Sequence, residues 1–258
     1  MTKKISTMDD YKCGAINDGI QNIAYATEYH NRRKDQRRSF SLNLLSRIGF
    51  LSKNMNFISL CCGFAGEESL LVPHFANTVL LDQHPKTIDL TKQIYTAFCL
   101  TERVEFIAKS VQEYVPEKKF NIIYTSSPSD WMKNPVGPMP EHYANFISKH
   151  LHNCGVFIAR LYGGSYTHNG NKEHLNDENF CSDMNEYISK YGLEIIEWEV
   201  CPERIESNVL IIGKSAALPI IKFDQLDSGV SSWTQPKPAH FALRSAHSIL
   251  KQQGDLEK

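Results

Sequence analysis

Two short stretches hold the residues best suited to chemistry. Ser59-Leu60-Cys61-Cys62-Gly63-Phe64-Ala65-Gly66-Glu67-Glu68 follows an apolar run and leads directly into a helical pattern. Small residues at such a strand-to-helix turn let the backbone pass close to a ligand, and the helix beyond offers free N–H groups. Cys61, Cys62, Gly63 and Phe64 are therefore candidate ligand contacts. The second stretch is Leu80-Leu81-Asp82-Gln83-His84-Pro85, in which Asp82 falls 21 residues after Cys61. An acidic side chain at the tip of the second strand, about 20 residues past the first turn, can accept hydrogen bonds from both hydroxyls of a ribose. Asp82, with Gln83 beside it, takes that place. A helix N-cap before Pro85 is the competing explanation for Asp82.

A second group of candidates lies past the fourth and fifth strands, where doubly wound folds open their crevice. One loop carries Ser129, Asp130 and Trp131, the other Arg160, Tyr162, Gly163, Gly164 and Tyr166. Asp130 could orient an amine or hydroxyl and accept its proton, or simply cap a helix. Arg160 ends an apolar strand, where a guanidinium clamps a carboxylate or forms a structural ion pair. Tyr25 and Tyr29, one helical turn apart, could form part of a lid, or pack as core. His142, His168 and His174 lie near loops without a metal-ligand spacing, and the seven cysteines include no Cys-x-x-Cys pair, so no metal is expected.

These residues need a scaffold, and the chain texture supplies one. From Asn56, short apolar runs alternate with helical segments, as in βαβ units. Strands are expected at Asn56–Cys61, Thr78–Asp82, Val104–Ile107, Asn121–Thr125, Gly155–Arg160, Glu194–Val200 and Ser207–Ile212. Helices are expected near Glu67–His74, Pro85–Phe98, Val111–Tyr114, Pro140–Leu151 and Asp177–Lys190. Cys201-Pro202-Glu203-Arg204-Ile205-Glu206 is too short for a parallel crossover, so the last two strands must pair as a hairpin. The fold class is therefore α/β: a doubly wound, mostly parallel seven-stranded sheet with a terminal antiparallel hairpin. Before it, about residues 10 to 51 carry two helical stretches, one around Ile16, Ile20, Ile23 and Ala24, the other around Phe40, Leu42, Leu45 and Ile48. The basic cluster Arg32-Arg33-Lys34-Asp35-Gln36-Arg37-Arg38 between them reads as a solvated helix face or linker. The organisation expected is a helical lid over 1–52, a Rossmann-like domain over 53–216, and an extension with a short helix over 217–258.

Over roughly Asn56 to Lys214 the chain resembles the class I S-adenosylmethionine-dependent methyltransferases. Their glycine motif, Asp-Leu-Gly-Cys-Gly-x-Gly, is matched by Ser59-Leu60-Cys61-Cys62-Gly63-Phe64-Ala65, with Ser59, Cys61 and Ala65 departing from it. Asp82-Gln83-His84-Pro85 is similar to the family's ribose-binding Asp-x-x-Pro. The resemblance implies S-adenosyl-L-methionine as cofactor. It places Ser110 and Val111 beside the adenine, and Thr125, Ser126 and Ser127 under the sulfonium and methionine moiety; Tyr25, on the helical lid, is expected to face the bound cofactor. Asp130, Arg160, Tyr162 and Tyr29 are then the candidate catalytic residues. An NAD enzyme would match the first two strands too, but it carries Gly-x-Gly-x-x-Gly, and only Gly63 and Gly66 are in register here.

Methyl transfer needs an in-line nucleophile in a dry pocket more than acid–base help, because the leaving thioether is neutral. Ser59 in place of the motif's Asp leaves another chemistry open. The segments Asp82 to Leu90 and Ile123 to Ser127 have a likeness to nicotianamine synthase-like enzymes, which attack the aminobutyrate arm by 3-amino-3-carboxypropyl transfer and release methylthioadenosine. Intramolecular cyclisation of the arm and cofactor binding without catalysis also stay open. The formal net charge of −1 gives no reason to expect nucleic acid or an anionic membrane, so a small-molecule substrate is expected. No run reaches the roughly 18 apolar residues of a membrane span, and the start lacks the apolar core of a signal peptide, which together lead to the expectation of a cytoplasmic protein. Oligomeric state is left open, a homodimer included.

Overall fold

The computed structural model describes residues 23–37, 40–126, 128, 131, 138–162, 165–168, 171–174, 180–201 and 207–217. Ser127, Ser129, Asp130, Gly163, Gly164 and the C-terminal helix expected near Leu243 lie outside these residues, as do the side chains of Tyr162, Tyr166, His168 and His174.

Seven strands form one sheet: β1 Asn56–Leu60, β2 Asn77–Asp82, β3 Val104–Ala108, β4 Phe120–Ser126, β5 Leu151–Tyr162, β8 Leu193–Cys201 and β9 Ser207–Lys214. A separate hairpin joins β6 Ser165–His168 to β7 Asn171–His174. The sheet order is β3-β2-β1-β4-β5-β9-β8. β1 to β5 pair in parallel, and β9 runs antiparallel between β5 and β8, with Ala159 opposite Leu210 and Trp198 opposite Leu210. The expected terminal hairpin is therefore present, with its second strand beside the fifth. The crossing point between β1 and β4 is where such sheets bind ligands.

Helices cover both faces, so the central strands are apolar on both sides. On one face α4 (Glu141–His150) and α5 (Phe180–Ser189) set Tyr143, Phe146, Ile147, Phe180, Met184 and Ile188 against Ile58, Leu60, Ile123, Phe157 and Leu161. On the other, α2 (Phe40–Arg47) sets Leu44 and Leu45, with Ile48 beyond it, against Phe57, Ile122, Tyr124, Val156 and Ile158. Above that face α1 (Ile23–Arg37) packs Ala26 on Leu90 and Ile94 of α3 (Pro85–Ala97). The basic cluster is thus helical through Arg37, and Arg32 and Lys34 lie over the rings of Tyr29 and Phe98 at 5.3 and 5.0 Å.

Three expectations change. The helix anticipated over Glu67–His74 is two 3-10 turns, Glu68–Leu70 and Val72–His74, because Pro73 has no N–H to continue an α-helical ladder. Val111–Tyr114 makes only a turn, closed on the Ser110 carbonyl by the Glu113 and Tyr114 N–H groups, with the Ser110 N–H and Oγ–H both donating to the Glu113 carboxylate at 3.1 and 2.8 Å. β5 begins four residues earlier than expected, at Leu151 rather than Gly155, and its register against β4 shifts between Phe120 and Ile122. Gly155 permits this: a Cβ there would stand 2.8 Å from the Asn121 carbonyl oxygen.

Candidate functional site

The β1 tip and the turn after it form an unusual backbone. Cys61, Gly63 and Ala65 all take positive φ, at 54°, 54° and 47°. These are the three positions where the matched motif carries glycine. A side chain in the left-handed region costs about 1–2 kcal/mol, so Cys61 and Ala65 keep a strained shape that surrounding bonds must impose. Those bonds are visible. The Gly63 carbonyl lies 3.0 Å from Thr91 Oγ1, whose one proton it shares with the Thr87 carbonyl at 2.8 Å; the Phe64 carbonyl accepts from His30 Nδ1 at 2.9 Å, and the Ala65 carbonyl from Tyr95 Oη at 2.7 Å. Three consecutive carbonyls are thus held by α1 and α3.

Asp82 completes the frame. It ends β2, is 8% exposed, and accepts the Gly63 N–H at 3.0 Å and the His84 N–H at 3.0 Å. The N-cap of α3 is His84, with no side-chain cap, so Asp82 holds the turn between strand and helix without capping α3. Beside it burial, then Asp82 and Glu68, pushes the thiol of half-buried Cys62 well above the ordinary range, which disfavours its thiolate.

Beneath the turn lies a row of buried polar groups. The Ser59 hydroxyl donates to Glu68 Oε1 at 2.7 Å. The position that lost the motif's acid is therefore bonded to a carboxylate from the next turn. Arg160 Nη1 reaches both oxygens of Glu67 at 2.9 and 3.0 Å, with both side chains buried. Burial works to lower the guanidinium pKa, but Glu67 and then Tyr124 outweigh it and hold the group charged above its ordinary value. Arg160 is thus engaged inside the protein, the second of the two roles its sequence position allowed. Among the described residues the buried charged side chains are Glu67, Glu68 and Asp82 against Arg160, with a buried His30.

The remaining candidates fall at the same strand ends. Thr125 is buried in register with Leu60 and donates to its carbonyl at 3.0 Å, and Ser126 follows at the tip of β4. Cys61 Sγ lies 3.1 Å from Tyr143 Oη, and Tyr143 packs on Trp131 at 5.4 Å between ring centroids. Tyr25 and Tyr29 meet Phe64 edge-on at 6.2 and 5.6 Å. Ser110 and a buried Val111 stand past β3, and Gln83 is exposed beside His84.

No protein-family model and no curated protein sequence matches the chain. Many solved structures do share its architecture. A S-adenosylmethionine-dependent methyltransferase from Clostridium acetobutylicum superposes with a TM-score of 0.52 at 14% identity, over 70% of this chain and 92% of its own. One from Aquifex aeolicus gives 0.53 at 8%, over 72% and 97%. The glycopeptide N-methyltransferase MtfA gives 0.50 at 10%, over 68% and 95%.

The fold is that of the class I methyltransferases.

Within that methyltransferase fold, the turn, Asp82 and the β4 residues named from the sequence lie at the ends of β1, β2 and β4, as expected from their spacing. Sequence reasoning missed Glu67, Glu68, His30, Thr91, Tyr95 and Tyr143. The acids were signalled only by their place directly after Gly66. The β6–β7 hairpin had a clearer signal, the Asn169-Gly170 dipeptide favoured by two-residue turns. Among the described residues no helix is long and apolar enough to cross a membrane, and no group of three His, Cys or acidic side chains could hold a metal.

Proposed function

We propose that the protein is a S-adenosylmethionine-dependent methyltransferase acting on a small molecule. The observation that carries this reading is the charge under the turn: the buried acidic side chains Glu67 and Glu68 after β1 and Asp82 at the tip of β2, against the single guanidinium of Arg160 near the end of β5. Such a surplus favours a cofactor bearing cationic sulfonium and ammonium groups, and it repels the pyrophosphate of a dinucleotide. The donor set fits the group. Asp82 would take the ribose hydroxyls, Glu68 with Ser59 would face the ammonium, and Thr125, Ser126 and Ser127 would lie below the sulfonium. Ser110 and Val111 would flank the adenine, with Cys61, Cys62, Gly63, Phe64 and Gln83 completing the cradle.

The cofactor supplies an activated methyl group; the chain must exclude water and align an acceptor. Asp130 would orient the acceptor and accept its proton, with Tyr162 helping to position it. Tyr25 and Tyr29, seated on Phe64, support α1 as the lid, whereas α2 belongs to the core. The aminobutyrate-arm alternative drew on the loss of the motif's acid at Ser59, and the Glu68 carboxylate 2.7 Å away weakens that motive. The product decides. Incubation with S-adenosylmethionine and a metabolite pool should yield adenosylhomocysteine. Methylthioadenosine would establish arm chemistry instead, and binding with no product would establish a non-catalytic protein.

A further inference from the structure

We propose that neutral His30 is a positioning residue that ties the docking of α1 to the shape of the Gly63–Ala65 turn, so that protonating it releases both together. The part concerning the cofactor rests on the function proposed above. His30 is fully buried, and its Nδ1 must carry the proton, because its partner, the Phe64 carbonyl, only accepts. Nε2 is then the lone-pair nitrogen. It is buried with no hydrogen-bond partner among the described residues. The ring is stacked on Phe98 at 5.6 Å and meets Tyr95 edge-on at 5.9 Å. A neutral imidazole leaves only an unused acceptor in this cage, whereas an imidazolium would bury a second N–H and a charge that no described residue receives.

The joint is concentrated on one loop residue. Phe64 gives His30 its carbonyl and gives Tyr25 and Tyr29 its ring, so α1 grips the turn from both sides of that residue. The neighbouring carbonyls are held from α3 by Thr91 and Tyr95. Losing the α1 grip frees the middle of three clamped carbonyls, at a turn whose Cys61 and Ala65 are already strained. Among the described residues the cage supplies no carboxylate to stabilise an imidazolium. On α1, Lys34 faces the ring and repels it. Tyr95 of α3 is held neutral by burial, and Lys86, Asp89 and Lys92 of α3 are exposed to solvent. Glu68, on the 3-10 turn packed against α1, is bonded to Ser59. Burial, with Lys34 adding to it, lowers the His30 pKa despite the Phe64 carbonyl. A depressed folded-state pKa means that the contribution is intact above about pH 6.5 and is lost as pH falls through the lower folded value.

The test is hydrogen exchange on the full chain between pH 7.5 and 5, read as protection factors for residues 23–37 and 57–66, in wild type, His30→Gln and His30→Phe. Wild type should lose about ten-fold protection in both segments together as pH falls. His30→Gln keeps a donor that does not titrate, and its protection should stay flat with pH. His30→Phe keeps the ring without the donor, and its turn should be less protected at every pH. Calorimetry with S-adenosylmethionine should show affinity falling with pH about ten-fold more in wild type than in His30→Gln. Equal turn protection in His30→Phe and wild type at pH 7.5 overturns the proposal, as does an unchanged pH response in His30→Gln. The expected exchange pattern without any S-adenosylmethionine binding would uphold the coupling and overturn the cofactor reading.

Discussion

Replacing Arg160 by Met separates a structural guanidinium from an acceptor clamp. The wild-type pair is short and almost dry, with Nη1 at 2.9 and 3.0 Å from the two Glu67 oxygens and side chains 4% and 3% exposed. Methionine fills most of the volume but leaves Glu67 buried without its counter-charge, which destabilises by about 3–5 kcal/mol. At about 2–4 °C per kcal/mol for a domain of this size, Tm should fall by roughly 6–20 °C. Urea unfolding measures the loss directly through the midpoint and slope. The pH dependence has a definite sign. A lone buried carboxylate has a raised folded pKa, so its charged form opposes folding at high pH; the deficit relative to wild type should shrink as pH falls from 8 to 5. Replacing both Glu67 and Arg160 by Met should restore stability to within about 1–2 kcal/mol, since a packed apolar pair often equals a buried ion pair. An Arg160→Met variant with an unchanged urea midpoint and lost turnover would refute this reasoning and return Arg160 to the acceptor pocket.

Other perturbations follow from the same geometry. Asp82→Ala should weaken S-adenosylmethionine binding by roughly 1.5–3 kcal/mol, measured by calorimetry, while the chain stays folded. Gly63→Ala meets no atom within 4 Å but sits at φ 54°, so urea unfolding should show a loss of about 1–2 kcal/mol from backbone strain alone. Gly155→Ala, against the Asn121 carbonyl at 2.8 Å, should be the more destabilising of the two. Removing residues 1–38 keeps α2 on the core, and circular dichroism should report a folded remnant with weakened cofactor binding. A remnant with normal turnover would show that α1 is not a lid.

The fold was legible because its cues are local. Alternating apolar runs placed all seven sheet strands to within a few residues, and the six-residue link Cys201 to Glu206 forced an antiparallel hairpin. Asp82 was legible from its distance to the first turn. What escaped depends on side chains that meet only after folding: Arg160 with Glu67 across 93 positions, His30 with Phe64 across 34. Neither partner carries a local mark. Ser59 looked like a lost acid because the sequence does not show that Glu68, nine positions on, turns back onto its hydroxyl. Cys61 and Ala65 read as departures from a glycine motif, yet the backbone keeps the left-handed shape that glycine would favour. Pro73 was in plain view, and its missing N–H was enough to break the expected helix into two turns.

The measurement that bears most directly on the central claim is equilibrium binding of S-adenosylmethionine to the full chain, by calorimetry, with NAD as the comparison. The charge beneath the turn predicts saturable one-site binding of S-adenosylmethionine that Asp82→Ala weakens, with no binding of NAD. Binding of NAD without S-adenosylmethionine, or binding of S-adenosylmethionine that Asp82→Ala leaves unchanged, would contradict it.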